Sequence, residues 1–375
     1  MVKETMTSEE RLMAAIRLEK TDRVPIAFAL DTAPAARLLG LNSWELVARG
    51  FDAQLDAVLK VFDEFGGWDG IGGLLPPELF PVSGIRAKPP SEGSPENQVL
   101  EGEVWKPEEY ELLAEIGWQR FVNEHLVFRV SDMKKPEEVA ELGNTFMCFL
   151  TRFIEQVKKR GAIPYGIIPN VHPFFWMSLT RSMVRFTEDL YYRPDAVDRA
   201  MKGIVPEWIR FAIDLCKGFN SNIFFFAEER AGCFFYPLRI FERFWWPYTL
   251  QIVDALWSEG IVSLFHLDQC WDQNIPFFKQ LPKGSAIIDL DGTTDIFAAK
   301  EVLAGHLCIG GDVHPTLLSL GGPEEVEAYC KKLIDEVGRG GGLILNVGCS
   351  VPYRIKPENL RAFIETGKNH VPAKR

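Results

Sequence analysis

The chain has 375 residues, 47% of them hydrophobic and 12% aromatic, which is enough to bury a large core and too apolar for a disordered chain. Its formal net charge of −11 argues against nucleic acid or an anionic membrane as the main partner, because both call for a basic surface. No apolar run is long enough for a membrane span, the start from Met1 to Thr5 carries no apolar signal core, and seven scattered cysteines predict reduced thiols in a cytoplasm.

In chain order, Thr7-Ser-Glu-Glu10 is a capping-box signature, and Leu12, Ile16 and Leu18 continue it as a short amphipathic helix. The apolar run from Val24 to Leu30 reads as a first strand ending at Asp31. Between residues 74 and 110 the prolines at 76, 77, 81, 89, 90, 95 and 107 exclude a long helix, and short strands at Gly84 to Ala87 and Val99 to Val104 predict an antiparallel excursion. Such an excursion is either a plain surface loop or a lid or partner surface. From residue 145 onward strand and helix alternate. Strands are predicted at Tyr165 to Pro169, Ile223 to Ala227, Ile261 to Phe265, Ala286 to Leu290, Leu307 to Gly310 and Leu343 to Val347. Helices are predicted at Pro194 to Lys217, Pro237 to Ser258, Asp295 to Leu303 and Pro323 to Gly338.

Continuous apolar strands between helices indicate parallel strands buried on both faces. Counting the first gives seven, with an eighth expected before residue 150. The predicted fold is α/β, a closed (β/α)8 TIM barrel forming one domain over residues 1–375, with the proline-rich antiparallel excursion at 74–110 inserted near the N-terminus. A doubly wound open sheet is the rival, without the glycine-rich phosphate loop that usually follows its first strand.

In a barrel, strand ends carry the chemistry. Here they carry Asp31, Asn170 with His172, Glu228 with Glu229, His266 with Asp268 and Cys270, Asp289 with Asp291, Asp312 and Cys349. His266 and Cys349 are candidate metal ligands, since imidazole and thiolate both suit zinc. Glu228 and Glu229 follow three phenylalanines, and carboxylates in that setting must be paired, protonated or metal-bound. Successive strand residues face opposite ways, so one of the two faces the mouth; the sequence leaves open which. Asp289 and Asp291 have alternate-residue spacing and are candidates for acid–base work, with Asn170 a further catalytic candidate, although the aspartates can equally hold loop amides. Cys270 reads as a loop residue, and Cys148, Cys216, Cys233, Cys308 and Cys330 as structural.

Three segments resemble the uroporphyrinogen decarboxylase superfamily, and within it the cobalamin-dependent methyltransferase branch: Met6 to Leu12 with Asp22-Arg-Val-Pro25, Pro237 to Phe244 followed by His266, and Gly341 to Cys349 with Pro357 to Leu360. The resemblance implies a TIM barrel with its site at the C-terminal mouth. Decarboxylase members carry an arginine-rich motif after the first strand, whereas Asp31 to Arg37 here holds one arginine, which speaks against uroporphyrinogen as substrate. Thiol-methylating members hold zinc with His, a Cys two residues on and a distant Cys. His266 and Cys349 match the outer two, but Asp268 stands in the middle and Cys270 is displaced. Members that demethylate aromatic ethers are similar in using glutamates and a histidine, for which Glu228 or Glu229, Glu242 and His266 are the nearest equivalents.

The resemblance thus implies a zinc-dependent transferase that moves a methyl group from a methoxylated aromatic to cobalt(I) of a corrinoid (cobalamin) carried by a partner protein. One rival is methyl transfer from a methyl-corrinoid protein to a thiol of the coenzyme M type. Another is a non-catalytic barrel that binds a corrinoid or tetrapyrrole.

Overall fold

The computed structural model describes residues 3–72, 76–166 and 171–371. Eight short parallel strands form the frame: β1 (Ala27–Ala29), β2 (Gly70–Gly72), β5 (Ile163–Pro164), β6 (Ile223–Glu228), β7 (Val262–Leu267), β8 (Ala286–Leu290), β9 (Cys308–Val313) and β10 (Leu343–Val347). Strands β1, β2 and β5 pair in that order, and β6 to β10 pair in sequence. A parallel bridge from Ile26, just before β1, to Leu345 of β10 joins the two runs on one side, and Val171, which follows β5 in the chain, bridges Ala227 of β6 on the other, the arrangement of a TIM barrel.

The strand period of two sorts the side chains. Tyr165, Ile223, Val262, Leu264, Ile287, Cys308 and Ile344 fill the barrel interior, together with Leu12, Ala15 and Ile16 of the first helix, which plugs its floor. Phe224, Phe226, Phe265 and Ile288 face outward into the larger core beneath the surrounding helices. The floor helix, Ser8–Ile16, begins with the predicted capping box at Thr7 and Glu10. Beside it Arg11 reaches Asp22 at 2.6 Å and Asp69 at 2.6 Å, and Arg23 holds the other oxygen of Asp69 at 2.6 Å. This buried ion network ties the N-terminal ends of the first two strands together, at the end of the barrel opposite the mouth.

The expected eighth strand is β2. Gly70 and Gly72 give it no apolar pattern, and both lie where a β-carbon would press on Tyr165, at 3.1 Å from its Cβ and 2.6 Å from its carbonyl oxygen respectively. Strand β5 begins two residues earlier than predicted and ends before Tyr165, and residues 167–169 of the predicted run lie outside the described residues. The predicted helix Pro237 to Ser258 is two helices, Leu238–Phe244 and Trp246–Ser258. Pro247 lies in the first turn of the second, where its missing N–H costs nothing, and Trp245 before it breaks the first.

The excursion is less extended than expected. Its antiparallel part is two residues a side, β3 (Ala87–Lys88) against β4 (Gln98–Val99), and Pro77–Ser83 is a 3-10 helix. Prolines 81, 89, 90 and 95 remove the backbone donors a longer ladder would need. Among the described residues no helix is long and apolar enough to cross a membrane.

Candidate metal centre at the barrel mouth

The C-terminal mouth opens into a cavity of about 430 Å³. Its walls include the strand-end residues Glu229, His266, Asp268, Asp289, Asn346 and Cys349. Phe175, Phe225 and Tyr165 add aromatic surface, and Phe80, Val99 and Glu101 reach in from the excursion, which therefore covers the mouth as a lid. Glu101 fastens that lid. It accepts hydrogen bonds from the Met183 amide at 2.6 Å and from Arg230 at 2.6 Å, while the Arg230 guanidinium lies over the Phe175 ring and also donates to Ser178.

His266, Asp268 and Cys349 come together. One ligand atom from each lies within 4.8 Å of the others. Residues 262, 264, 266 and 268 share the inward face of β7 and its extension, which turns both His266 and Asp268 to the cavity. Cys349 arrives from the loop after β10, with its sulfur 4.0 Å from Asp268 Oδ2. His266 pairs directly with Asp289 across β7 and β8, and Nδ1 lies 2.8 Å from Asp289 Oδ2. The other Asp289 oxygen accepts from Asn346 at 2.7 Å. On the far side of the ring, Nε2 lies 3.2 Å from Asp268 Oδ1, an ion-pair distance without hydrogen-bond alignment, so that buried oxygen has no hydrogen-bond partner.

Burial works against a charge on His266, but the Asp268 charge and the contacts with Asp289 and Cys349 outweigh it and hold the imidazole well above its usual range. Burial, then the Asp268 charge, pushes the Glu229 carboxyl up to about 7. Burial also lifts Asp31, which follows β1 and lines the same cavity, to about 6. A pocket that crowds carboxylates in this way is relieved by a cation.

The donor set fits a metal. Donors about 2.0–2.3 Å from one zinc ion stand at most about 4.6 Å apart, so the trio needs little closure to share an ion. Nitrogen, oxygen and sulfur donors together suit zinc, and three protein ligands leave a position open for substrate. The Asp268 oxygen that lacks a hydrogen bond is the atom a cation would satisfy.

The other candidates fall elsewhere. Glu228 points outward from β6, where its carboxylate accepts from the amides of Arg230 and Ala231 at 3.0 and 3.1 Å and from Trp245 Nε1 at 2.7 Å. Three donors and full burial leave it no access to the mouth, so of the pair Glu229 is the one at the cavity. Asp291 does not share the inward face with Asp289. The chain turns after Leu290, and Asp291 accepts from the Gln269 amide at 2.8 Å and from the Thr293 amide and hydroxyl at 2.8 and 2.6 Å. Asp289 likewise holds His266 rather than facing a reactant with a free oxygen. Glu242 is exposed on the helix Leu238–Phe244. Asn170 lies outside the described residues. Sequence reasoning left Asp268 unassigned and missed Asn346 and Glu101. The alternate spacing of Asp268 from His266 was the available signal for the first.

Cys270 leaves the cluster for a backbone reason. Gln269 has φ of 68°, and this left-handed turn sends the chain away from the mouth immediately after Asp268. The Asp291 carboxylate and Thr294 hydroxyl hold the turn through the Gln269 amide and carbonyl.

Fold and site together define a barrel with a candidate mixed-donor metal site at its C-terminal mouth. Residues 170–370 match the family described as uroporphyrinogen decarboxylase (URO-D), and the chain belongs to that family. Among curated relatives, a uroporphyrinogen decarboxylase from Methylococcus capsulatus is 33% identical over 90 residues, covering 24% of this chain and 25% of that protein. The methylcobamide:CoM methyltransferase MtbA from Methanosarcina mazei is 28% identical over 130 residues, covering 35% of this chain and 37% of that one. The chain thus aligns with well under half the length of these relatives. A solved structure described as a methyltransferase from Methanosarcina mazei superposes with a TM-score of 0.72 over 97% of this chain and 98% of that one, at 15% identity, and shows the shared fold.

Proposed function

We propose that this chain is a zinc-dependent methyltransferase, one barrel domain over residues 1–375 lidded by the 74–110 excursion, working in the cytoplasm with a corrinoid-carrying partner protein. The methyl donor is a methoxylated aromatic and the acceptor is cobalt(I) of the partner's corrinoid. The observation that carries this reading is the convergence of His266, Asp268 and Cys349 on one cavity wall. The similarity to a methylcobamide methyltransferase supports the class of reaction.

His266, Asp268 and Cys349 would hold the zinc, with Glu229 a further carboxylate lining the same cavity. When bound there, zinc supplies a Lewis acid that stabilises negative charge on a leaving oxygen. The rest is done by the chain. Asp289 accepts from His266 Nδ1, which fixes the tautomer and leaves Nε2 free to ligate. Phe175 and Phe225 offer flat surfaces for an aromatic ring, and the lid residues Phe80 and Val99 keep water from one side of it. Replacing a thiolate by Asp268 makes the donor set harder, which favours an ether oxygen over a bound thiolate.

The thiol-methylating alternative rests on Arg230, the only Lys or Arg among the described residues lining the cavity, which is where a small anionic thiol would place its charge. Glu101 already neutralises it at 2.6 Å, which favours the ether reading. Metal analysis of the purified chain tests the common ground. One zinc per chain is expected, lost in a folded His266→Ala variant. A metal-free wild type would leave only a non-catalytic binding barrel.

A further inference from the structure

The loops that follow β6 and β7 meet at two cysteines, neither of which belongs to the metal cluster. Cys233 Sγ lies 3.9 Å from Cys270 Sγ and 3.2 Å from the Cys270 carbonyl oxygen. Both are partly exposed and neither is in a disulfide. The main chains also run close together here: a β-carbon on Gly232 would meet the Trp271 ring at 2.9 Å and the Cys270 carbonyl at 3.0 Å. The Cys233 amide donates to Asn274 Oδ1 at 2.8 Å, fixing the first loop against the second.

We propose that Cys233 and Cys270 are a site of reversible oxidation that closes into a disulfide between the two loops. Disulfide sulfurs sit about 2.05 Å apart and their main chains within about 7 Å. Loops already locked together at this spacing need the two thiols to rotate and close a short gap. The Cys270 thiol donates to the Asp272 carboxylate at 3.3 Å and is held there, so Cys233 is the sulfur oxidised first. Hydrogen peroxide supplies the oxidising equivalents. The Cys233 sulfur displaces water from peroxide and becomes a sulfenic acid. The Cys270 sulfur then displaces a second water, giving one S–S bond for one peroxide reduced.

The position gives the bond a consequence. Cys270 is two residues beyond Asp268, across the left-handed turn at Gln269, and Cys233 is four residues beyond Glu229. Asp291 and Thr294 hold that turn rigidly, so drawing Cys270 toward Cys233 displaces Asp268 rather than dissipating in the loop. Oxidation should therefore loosen the metal centre without touching a ligand atom. The cross-link itself stands whether or not the chain transfers methyl groups.

The test treats the reduced, zinc-loaded full chain with one equivalent of hydrogen peroxide, blocks remaining thiols with iodoacetamide and digests without reductant. The expected product is a cross-linked peptide pair joining Cys233 to Cys270, lighter by two hydrogens, abolished by dithiothreitol and absent from Cys233→Ser. Zinc release to a chromogenic chelator should quicken roughly tenfold in the oxidised wild type, the lower end of what loss of ligand support costs, and not in peroxide-treated Cys233→Ser. Oxidation of Cys349 or Cys148 ahead of the pair, or of Cys233 to sulfinic acid without a cross-link, would overturn the proposal. A cross-link that leaves zinc release unchanged would overturn its link to the metal centre.

Discussion

Asp289 and His266 are opposite each other on adjacent strands, and the carboxylate oxygen lies 2.8 Å from the ring nitrogen that faces away from Asp268. Parallel register alone puts the pair in contact, so the imidazole is oriented before any ligand arrives. Asn346 holds the second oxygen of Asp289 and makes the arrangement a chain of three. Asp289→Asn removes the charge and leaves one oxygen for two donors, Asn346 and His266, so the ring is held less firmly. Zinc affinity is expected to fall about 10–100-fold, measured by competition with a chelator, with secondary structure unchanged by circular dichroism.

Asp268 separates this site from a thiolate-rich one. Asp268→Ala should lose zinc, whereas Asp268→Cys should retain it, because a thiolate satisfies the same cation. The cysteine variant should also bind zinc more tightly while losing rate with an ether substrate, as the softer donor set weakens the Lewis acid. Equal zinc affinity in wild type and Asp268→Ala would remove this residue from the ligand set.

The lid is held by Glu101, which serves Met183 and Arg230 at once. Glu101→Gln keeps the shape and loses the charge. A partly exposed ion pair contributes about 0.2–1 kcal/mol, so limited proteolysis between residues 76 and 104 should accelerate by a small factor, and substrate KM should rise with kcat little changed. An unaltered proteolysis rate would mean that the backbone contacts hold the lid without the ion pair.

The floor of the barrel should show in acid. Although burial opposes ionisation of Asp22, its bonds to Arg11 and to the amides of Thr5 and Met6 prevail and hold the carboxyl far below the usual range. Its folded value is depressed, so its stabilisation is complete above the unfolded value near 3.9 and drains away as pH falls from there toward the folded value. Asp22→Asn should cost about 3 kcal/mol at neutral pH. The gap to wild type in urea melts should narrow below about pH 4. A gap independent of pH would assign the loss to shape rather than charge.

The sequence exposes this fold where strands are mostly apolar, as at Ala286–Leu290 and Leu343–Val347, which match the expected spans. It hides β2, because Gly70 and Gly72 are there to admit Tyr165 and carry no hydrophobic signal. At the site, His266 and Cys349 stand out as strand-end donors, and the structure brings their ligand atoms together. The choice between Glu228 and Glu229 was illegible because Phe224, Phe225 and Phe226 erase the alternation that would set the facing of the residues after them. Only the outward burial of Phe224 and Phe226, with Phe225 at the cavity, turns Glu229 inward. The displacement of Cys270 depends on a left-handed Gln269, a conformation that no local residue preference announces. Asp291 resembled Asp289 in spacing and differs because β8 ends between them.

The central claim is tested most directly by following cobalt(I) corrinoid protein spectroscopically while the zinc-loaded chain is supplied with 2-methoxyphenol, and in parallel by offering methyl-corrinoid protein with coenzyme M. The account predicts conversion of cobalt(I) to methyl-cobalt(III) that depends on the methoxyarene, is abolished in His266→Ala, and is not exceeded by demethylation toward the thiol. Robust methylation of the thiol with no methoxyarene accepted, or equal activity in His266→Ala, would contradict it.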